Sequence, residues 1–393
     1  MSEALKTRLN MIFANYPRIP ETEDLYDEVL ANLTDHVADY ITDGLTEDEA
    51  IEKALTELGD LTEVLDDIAV SEEHSLTDLS RDSVSNYNTD SYSSLPLVNE
   101  QVFSPADFDQ ISLIYQQDNV DILPSEDGQL HLLEFMNTWK SDYFAQIQST
   151  KNQLHIQYGK RPKLFGKLLP FRSKIVFLIP TDYQKNLNLQ LASGNLMINQ
   201  VKLETLNIDC RSGNFKAENL KVRTLKTILN SGNGNFEQIE SEKIMIEAKS
   251  GNLNLNKIDA YQADVMAISG NMRLNIADIY TLRANVKSGN LKVQSLQTNT
   301  AELAAKSGNV TVESELFTQL KVTAASGNAK VVVSDEAIFN FDLRSGHGNT
   351  RLSLPNINYT VKTQSHKAGY SNSESERLLY IETNSGNATV KTL

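Results

Sequence analysis

The residue pattern most open to a chemical role in this 393-residue chain is a repeated triplet. Ser-Gly-Asn recurs with its serine at 193, 212, 231, 250, 269, 288, 307 and 326, every interval being 19. A degenerate Ser345-Gly346-His347 follows, and a last copy stands at Ser385-Gly386-Asn387. Two ligand chemistries use such glycine-rich triplets. Calcium repeats need acidic ligands, and these triplets carry none. Phosphate loops lead into a helix, with Lys-Ser/Thr in the nucleotide case, whereas strand patterns follow here. A repeated turn fits better. Glycine permits positive φ, serine satisfies local backbone groups, and asparagines in register form an amide ladder. The residues assigned to that structural ladder are Asn195, Asn214, Asn252, Asn271, Asn290, Asn309 and Asn328.

Other reactive side chains are scattered. The six histidines show no zinc-like spacing, and the chain has no HExxH, GxSxG or Walker pattern. His36, between Asp35 and Asp39, reads as part of a solvated helix face. Cys210 stands where other repeats carry Ala248, Ala267, Ala305 and Ala324, so it reads as a small buried residue. A glycosidase would need paired carboxylates on one outer face; Asp209, Glu247, Asp264, Glu302 and Asp342 share no paired register. The expectation is therefore a protein that is not an enzyme, with no catalytic residue, cofactor or metal.

One segment stands apart. "KRPKLFGKLLPFRSK", residues 160–174, holds Lys160, Arg161, Lys163, Lys167, Arg172 and Lys174 with no acid, interleaved with Phe165 and Phe171. Its Pro and Gly content argues for an exposed loop, and its chemistry suits an anionic lipid surface or acidic polymer. The alternative is a loop that covers the open end of the repeat array. A thinner basic stripe recurs inside the repeats at Lys216, Arg273, Lys292 and Lys330.

The elements that position these residues follow from periodicity. Counting the serine as position 1, position 6 carries Ile198, Leu255, Leu274, Val293, Val312 and Val331, and positions 14 and 16 are likewise apolar. Alternation with polar neighbours is a period of two, hence strand. A 19-residue unit is too short for a strand and helix with connections. The fold class expected is mainly β: a parallel β-solenoid of 19-residue coils with a small N-terminal α-helical bundle. Residues 1–70 are the bundle, with Leu25, Val29, Leu33, Val37 and Ile41 as one stripe and Thr46 with Glu49 at capping-box spacing. Residues 71–98, rich in Ser, Asn and Asp, read as a flexible linker. Residues 99–393 are the solenoid: irregular capping strands over 99–190, regular repeats over 193–352, and a C-terminal cap over 353–393.

Charge is divided along the chain. Residues 1–98 hold 23 acidic against 5 basic residues, a net of −18, while the remainder holds 29 against 31, a net of +2. Nucleic acid is an unsuitable partner for such a surface. The acidic bundle suits a protein partner.

The Ser-Gly-Asn repeat, preceded by short strands and a "KIVFLIP" run, resembles the bacterial putative-adhesin family of β-strand-repeat proteins, of the daptomycin-sensing surface-protein type. "LTEDEAIEKALTELGD" resembles the helical prefix domain of Firmicute proteins, often encoded near envelope-stress or PadR-type regulators. The resemblance implies an envelope-associated, non-enzymatic role, adhesin-like or linked to envelope stress, and transfers no catalytic residues. With the basic segment 160–174, the expected partner is an anionic membrane or cell-wall polymer. The alternative function is an intracellular regulatory scaffold whose bundle binds a sensor or regulator; more remote is a carbohydrate-active β-helix enzyme. The N-terminus lacks the apolar core of a secretory signal, and no stretch approaches the ~20 apolar residues of a membrane span. The expected location is cytoplasmic or peripherally membrane-associated, with the cell surface by leaderless export as the alternative.

Overall fold

The computed structural model describes residues 3–16, 20–58, 61, 65, 92–161 and 171–392. It divides into two compact units, one of Met1–Gln101, Leu132–Gln146 and Tyr158–Ile175, the other of Val102–His131, Ile147–Gln157 and Val176–Leu393.

The first unit carries three helices: α1 (Glu3–Phe13), α2 (Pro20–Thr42) and α3 (Glu47–Leu58). Their apolar residues recur every three or four positions, so one face of each helix is buried. Leu5 and Leu9 of α1, Leu25, Val29, Leu33 and Val37 of α2, and Ala50, Ile51 and Ala54 of α3 form one core, joined by Leu61 and Leu65. Ile41 does not join them. It sits in the last turn of α2, at the rim of the cluster, and is 45% exposed. At the start of α3 the capping box forms, with Thr46 N–H donating to Glu49 Oε2 at 3.0 Å. Residues 71–91 of the linker lie outside the described residues, as does most of the stretch after Asp60.

The second unit is a parallel stack. Strands Phe215–Ser231, Gly234–Ser250, Leu253–Ser269 and Met272–Ser288 pair in an unbroken 19-residue register, so that Leu225 faces Ile244, then Ala263, then Leu282. Positions 4, 6, 9, 11, 14, 16 and 18 point inward, and most are apolar and buried. Because every coil presents the same inward positions, each adds a layer to a continuous core. Phe215 and Phe236 meet edge to face at 5.2 Å within it.

Each coil turns three times, which divides it into three short sides. The first corner is the Ser-Gly-Asn triplet, whose glycines have φ between +110° and +143°. The second is position 8, where Gln200, Asn219, Gln238, Lys257, Ile276 and Ser295 adopt left-handed backbone with φ of +48° to +56°. The third is position 12, where positions 12 and 13 both face outward. There the inward Ser241 hydroxyl donates to Arg223 O at 3.2 Å and Lys243 O at 3.1 Å, and Thr298 does the same job in a later coil.

The ends correct two expectations. The residues 99–190 are not all irregular: Gln110–Tyr115 pairs in parallel with Asn186–Leu191, and Val120–Ile122 with Leu196–Ile198. This earlier coil lies directly on the first triplet coil, with Asn152–Gln157 beyond it. Nor is 353–393 wholly a terminal cap. Leu378–Ser385 inserts between Gln319–Ser326 and Phe339–Ser345, pairing in parallel with both. Ala388–Thr392 likewise lies between Ala329–Val333 and Thr350–Ser353. Only the antiparallel hairpin of Ile357–Lys362 and His366–Ser371 closes the stack. The last triplet therefore follows Ser326 in space and the degenerate one comes after it, because the intervening chain loops outward and the C-terminus returns to fill the vacant rung.

Candidate functional site

The asparagines of the triplets stand in one line. Asn214 N–H donates to Asn195 Oδ1 at 3.1 Å, Asn252 to Asn233 at 3.0 Å, Asn271 to Asn252 at 3.0 Å, and so on through Asn290, Asn309 and Asn328. Three further members are Asn233, Asn387, which donates to Asn328 Oδ1 at 2.9 Å, and Asn349, which donates to Asn387 at 3.1 Å. At the other end Asn195 donates to Asn119 Oδ1 at 3.0 Å. Asn119 belongs to Gln117-Asp118-Asn119, which shares only the asparagine with the triplet. Asn349 follows Ser345-Gly346-His347-Gly348, so two extra residues hide its register and His347 is not the ladder residue. The ladder is structural: its Oδ1 atoms accept backbone N–H groups that the glycine turn aims away from any carbonyl.

The basic segment is partly committed to its own unit. Lys160 Nζ pairs with Asp142 at 2.6 Å, and that hydrogen bond holds the Asp142 carboxyl below its ordinary range. Arg161 donates to Tyr143 O at 2.7 Å and lies over the Phe171 ring, 5.4 Å from its centroid. Phe171 in turn meets Tyr143 edge to face at 5.5 Å. The Arg172 backbone N–H donates to Asn137 Oδ1 at 3.0 Å, and Lys174 is half-buried. Lys163, Phe165 and Lys167 lie outside the described residues. Arg161 and Phe171 thus fasten the base of the segment instead of presenting themselves for an external surface.

Outward side chains on the solenoid meet their equivalents one coil away. Arg223 bridges Glu204 at 2.7 Å and Glu242 at 2.9 Å, and Lys221 pairs with Glu240 at 2.5 Å. Glu302 pairs with Lys321 at 2.9 Å and Arg283 at 3.5 Å, and the Lys321 hydrogen bond draws its carboxyl below the ordinary range. Tyr261 and Tyr280, both largely exposed, stack in parallel at 5.0 Å. On the side between the first and second corners, Arg273, Asn275, Ile276, Lys292, Gln294 and Ser295 line an open depression of about 500 Å³. The expected basic stripe supplies Arg273 and Lys292 to it. The left-handed corner at Ile276 carried no sequence signal, since its equivalents range over Gln, Asn, Lys and Ser.

The model of the toastrack DUF4097 family matches residues 108–291 and again 229–391. The chain belongs to this toastrack family. The two overlapping matches cover the parallel stack, including the coil of Asn119 and the inserted C-terminal rung. Among solved structures, a putative cell adhesion protein of Clostridium sporogenes is 13% identical, covering 75% of this chain and 99% of its own, with a TM-score of 0.19. A putative adhesin of Bacteroides fragilis is 11% identical over 75% and 96%, with a TM-score of 0.29. A putative adhesin of Parabacteroides merdae is 12% identical over 75% and 95%, with a TM-score of 0.31. No curated protein matches the chain.

Proposed function

We propose that this toastrack protein is a non-enzymatic, envelope-associated binding scaffold, adhesin-like in its use of a rigid display surface. The observation that carries this reading is the asparagine ladder, continuous from Asn119 to Asn349 across coils that are not consecutive in sequence. A stack locked at every first corner holds its outward side chains in fixed rows, which suits recognition of an extended partner. Carboxylates on those rows favour the same conclusion. Glu204, Glu240, Glu242 and Glu302 alternate with Arg and Lys in ion-pair ladders, where they serve as structural counter-charges. Hydrolysis of a glycoside needs instead a carboxyl kept protonated beside an ionised one.

The helical unit is the protein-facing part of this scheme. Its outward residues Asp27, Asp35, Asp39, Glu47 and Asp48 are exposed while the apolar stripes face its own core. Such a surface favours a cationic partner protein.

Fractionation of cells that produce the full chain tests the proposal. Recovery with the envelope, released by a high-salt wash, is the expected result. Recovery in the cytosol alone would replace it with an intracellular scaffold whose helical unit engages a regulator.

A further inference from the structure

Several cations along the solenoid stand beside an acid in a neighbouring coil, as Arg223 does between Glu204 and Glu242. Arg273 departs from this. Its register partner is Lys292, and among the described residues neither makes an ion pair. Like charges directly opposite on neighbouring strands repel, so the arrangement is unfavourable for the bare fold.

Two further departures lie beside it. Asn275 makes no side-chain hydrogen bond, and its Oδ1 is shielded from water. One coil back, the equivalent Asn256 donates to Glu237 at 2.7 Å. A shielded amide without partners is costly, and rotating it toward a ligand forfeits nothing. Next to it, Ile276 has φ +51° and is 55% exposed. A β-branched residue in that region is a steric outlier, and strain of this kind gathers at binding sites. All three departures line the one depression of about 500 Å³, together with Gln294 and Ser295.

We propose that this depression binds a segment of an acidic polysaccharide. Arg273 and Lys292 take its anionic group through charge-assisted hydrogen bonds, relieving their mutual repulsion. Asn275 and Gln294 exchange hydrogen bonds with its hydroxyls, and Ile276 packs against the C–H face of a ring. The bare cations alone would suit any polyanion; the idle amide and the exposed isoleucine favour a hydroxylated, ring-built one. This assignment rests on the reading of the chain as an envelope-binding protein.

Titrating the purified full chain with polygalacturonate oligomers, neutral dextran and inorganic polyphosphate tests it. Polygalacturonate is expected to bind, and the double variant Arg273→Ser/Lys292→Ser to weaken it by about tenfold or more. Asn275→Leu weakens it as well, whereas Lys226→Ser/Lys243→Ser, on another side of the coil, leaves it unchanged. The thermal midpoint of the Arg273/Lys292 variant should not fall, since a repulsion has been removed, so a loss of binding is not a loss of fold. Three results would overturn the proposal: polygalacturonate bound no better than dextran, wild-type binding by the Arg273/Lys292 variant, or polyphosphate bound as tightly with Asn275→Leu silent. Failure in this titration leaves envelope fractionation unaffected, so the two readings fall separately.

Discussion

The backbone N–H of Asn271 donates to the side-chain Oδ1 of Asn252 at 3.0 Å, one coil back. The flanking N–H groups point the other way: Gly270 donates to Ser288 O at 3.0 Å and Met272 to Asn290 O at 2.9 Å in the next coil. The glycine turn thus reverses one N–H out of the parallel ladder, and the preceding amide receives it. Asn271→Leu should remove the acceptor for Asn290 N–H and cost about 1 kcal/mol. Asn271→Asp keeps the acceptor and should cost less. Combining Asn271→Asp with Asn290→Asp places like charges one rung apart, and a coupling penalty of about 1 kcal/mol should appear in a denaturant double-mutant cycle. Strict additivity would show that the ladder side chains do not sense one another.

The glycine at this corner has two reasons to be there. Gly270 has φ +130°, and a Cβ built on it would sit 1.9 Å from the carbonyl oxygen of Gly251. Relief would require separating two coils that are hydrogen-bonded along their whole length. Gly270→Ala should therefore destabilise the stack by about 3 kcal/mol or more in urea unfolding. A loss below about 1 kcal/mol would mean the corner can open.

Ile276 should behave in the opposite sense. Ile276→Asn places a residue tolerant of left-handed backbone at φ +51° and sacrifices little burial from a side chain 55% exposed. A gain of about 1 kcal/mol is expected in the same assay, with weaker polysaccharide binding if the proposed site is occupied as described.

Burial, with a smaller effect from Asp209, pushes the Cys210 thiol up to about 12 from its ordinary 9.0. The folded pKa exceeds the unfolded one, so this group's contribution is intact below about 9 and is lost as pH rises toward 12. Iodoacetamide at pH 8 should leave the folded chain unmodified and label it fully in denaturant. Rapid labelling under native conditions would show that the first coils open readily.

The C-terminal rung offers the last test. Truncation after Arg377 removes the strands that lie between Gln319–Ser326 and Phe339–Ser345. The transition of the stack should move to lower urea in the truncated chain, and a synthetic peptide of residues 378–393 should restore it. An unchanged transition would mean the neighbouring coils close over the gap.

Much of this architecture was legible in the residues. A 19-residue recurrence of Ser-Gly-Asn, with apolar residues recurring in step at Leu206, Leu225 and Ile244, leaves little besides a parallel solenoid, since the same inward positions must stack. The turn role of glycine and asparagine was legible for the same reason. Asn119 was not, because Gln117-Asp118 replaces the serine and glycine; nor was Asn349, displaced by a two-residue insertion. The corner at position 8 was hidden because Gln200, Lys257 and Ile276 share a backbone conformation and no side-chain property.

Local pattern, then, determined the coil, its core and its first corner, because periodicity and turn chemistry act within 19 residues. Tertiary structure decided the order of the end coils, since Leu378–Ser385 pairs with strands on both sides that only long-range closure brings together. It also decided which cations are left over. The 19-residue period sets who is opposite whom; side-chain geometry decides which meet, so Lys221 and Arg223 close ion pairs one rung away while Arg273 lies against Lys292.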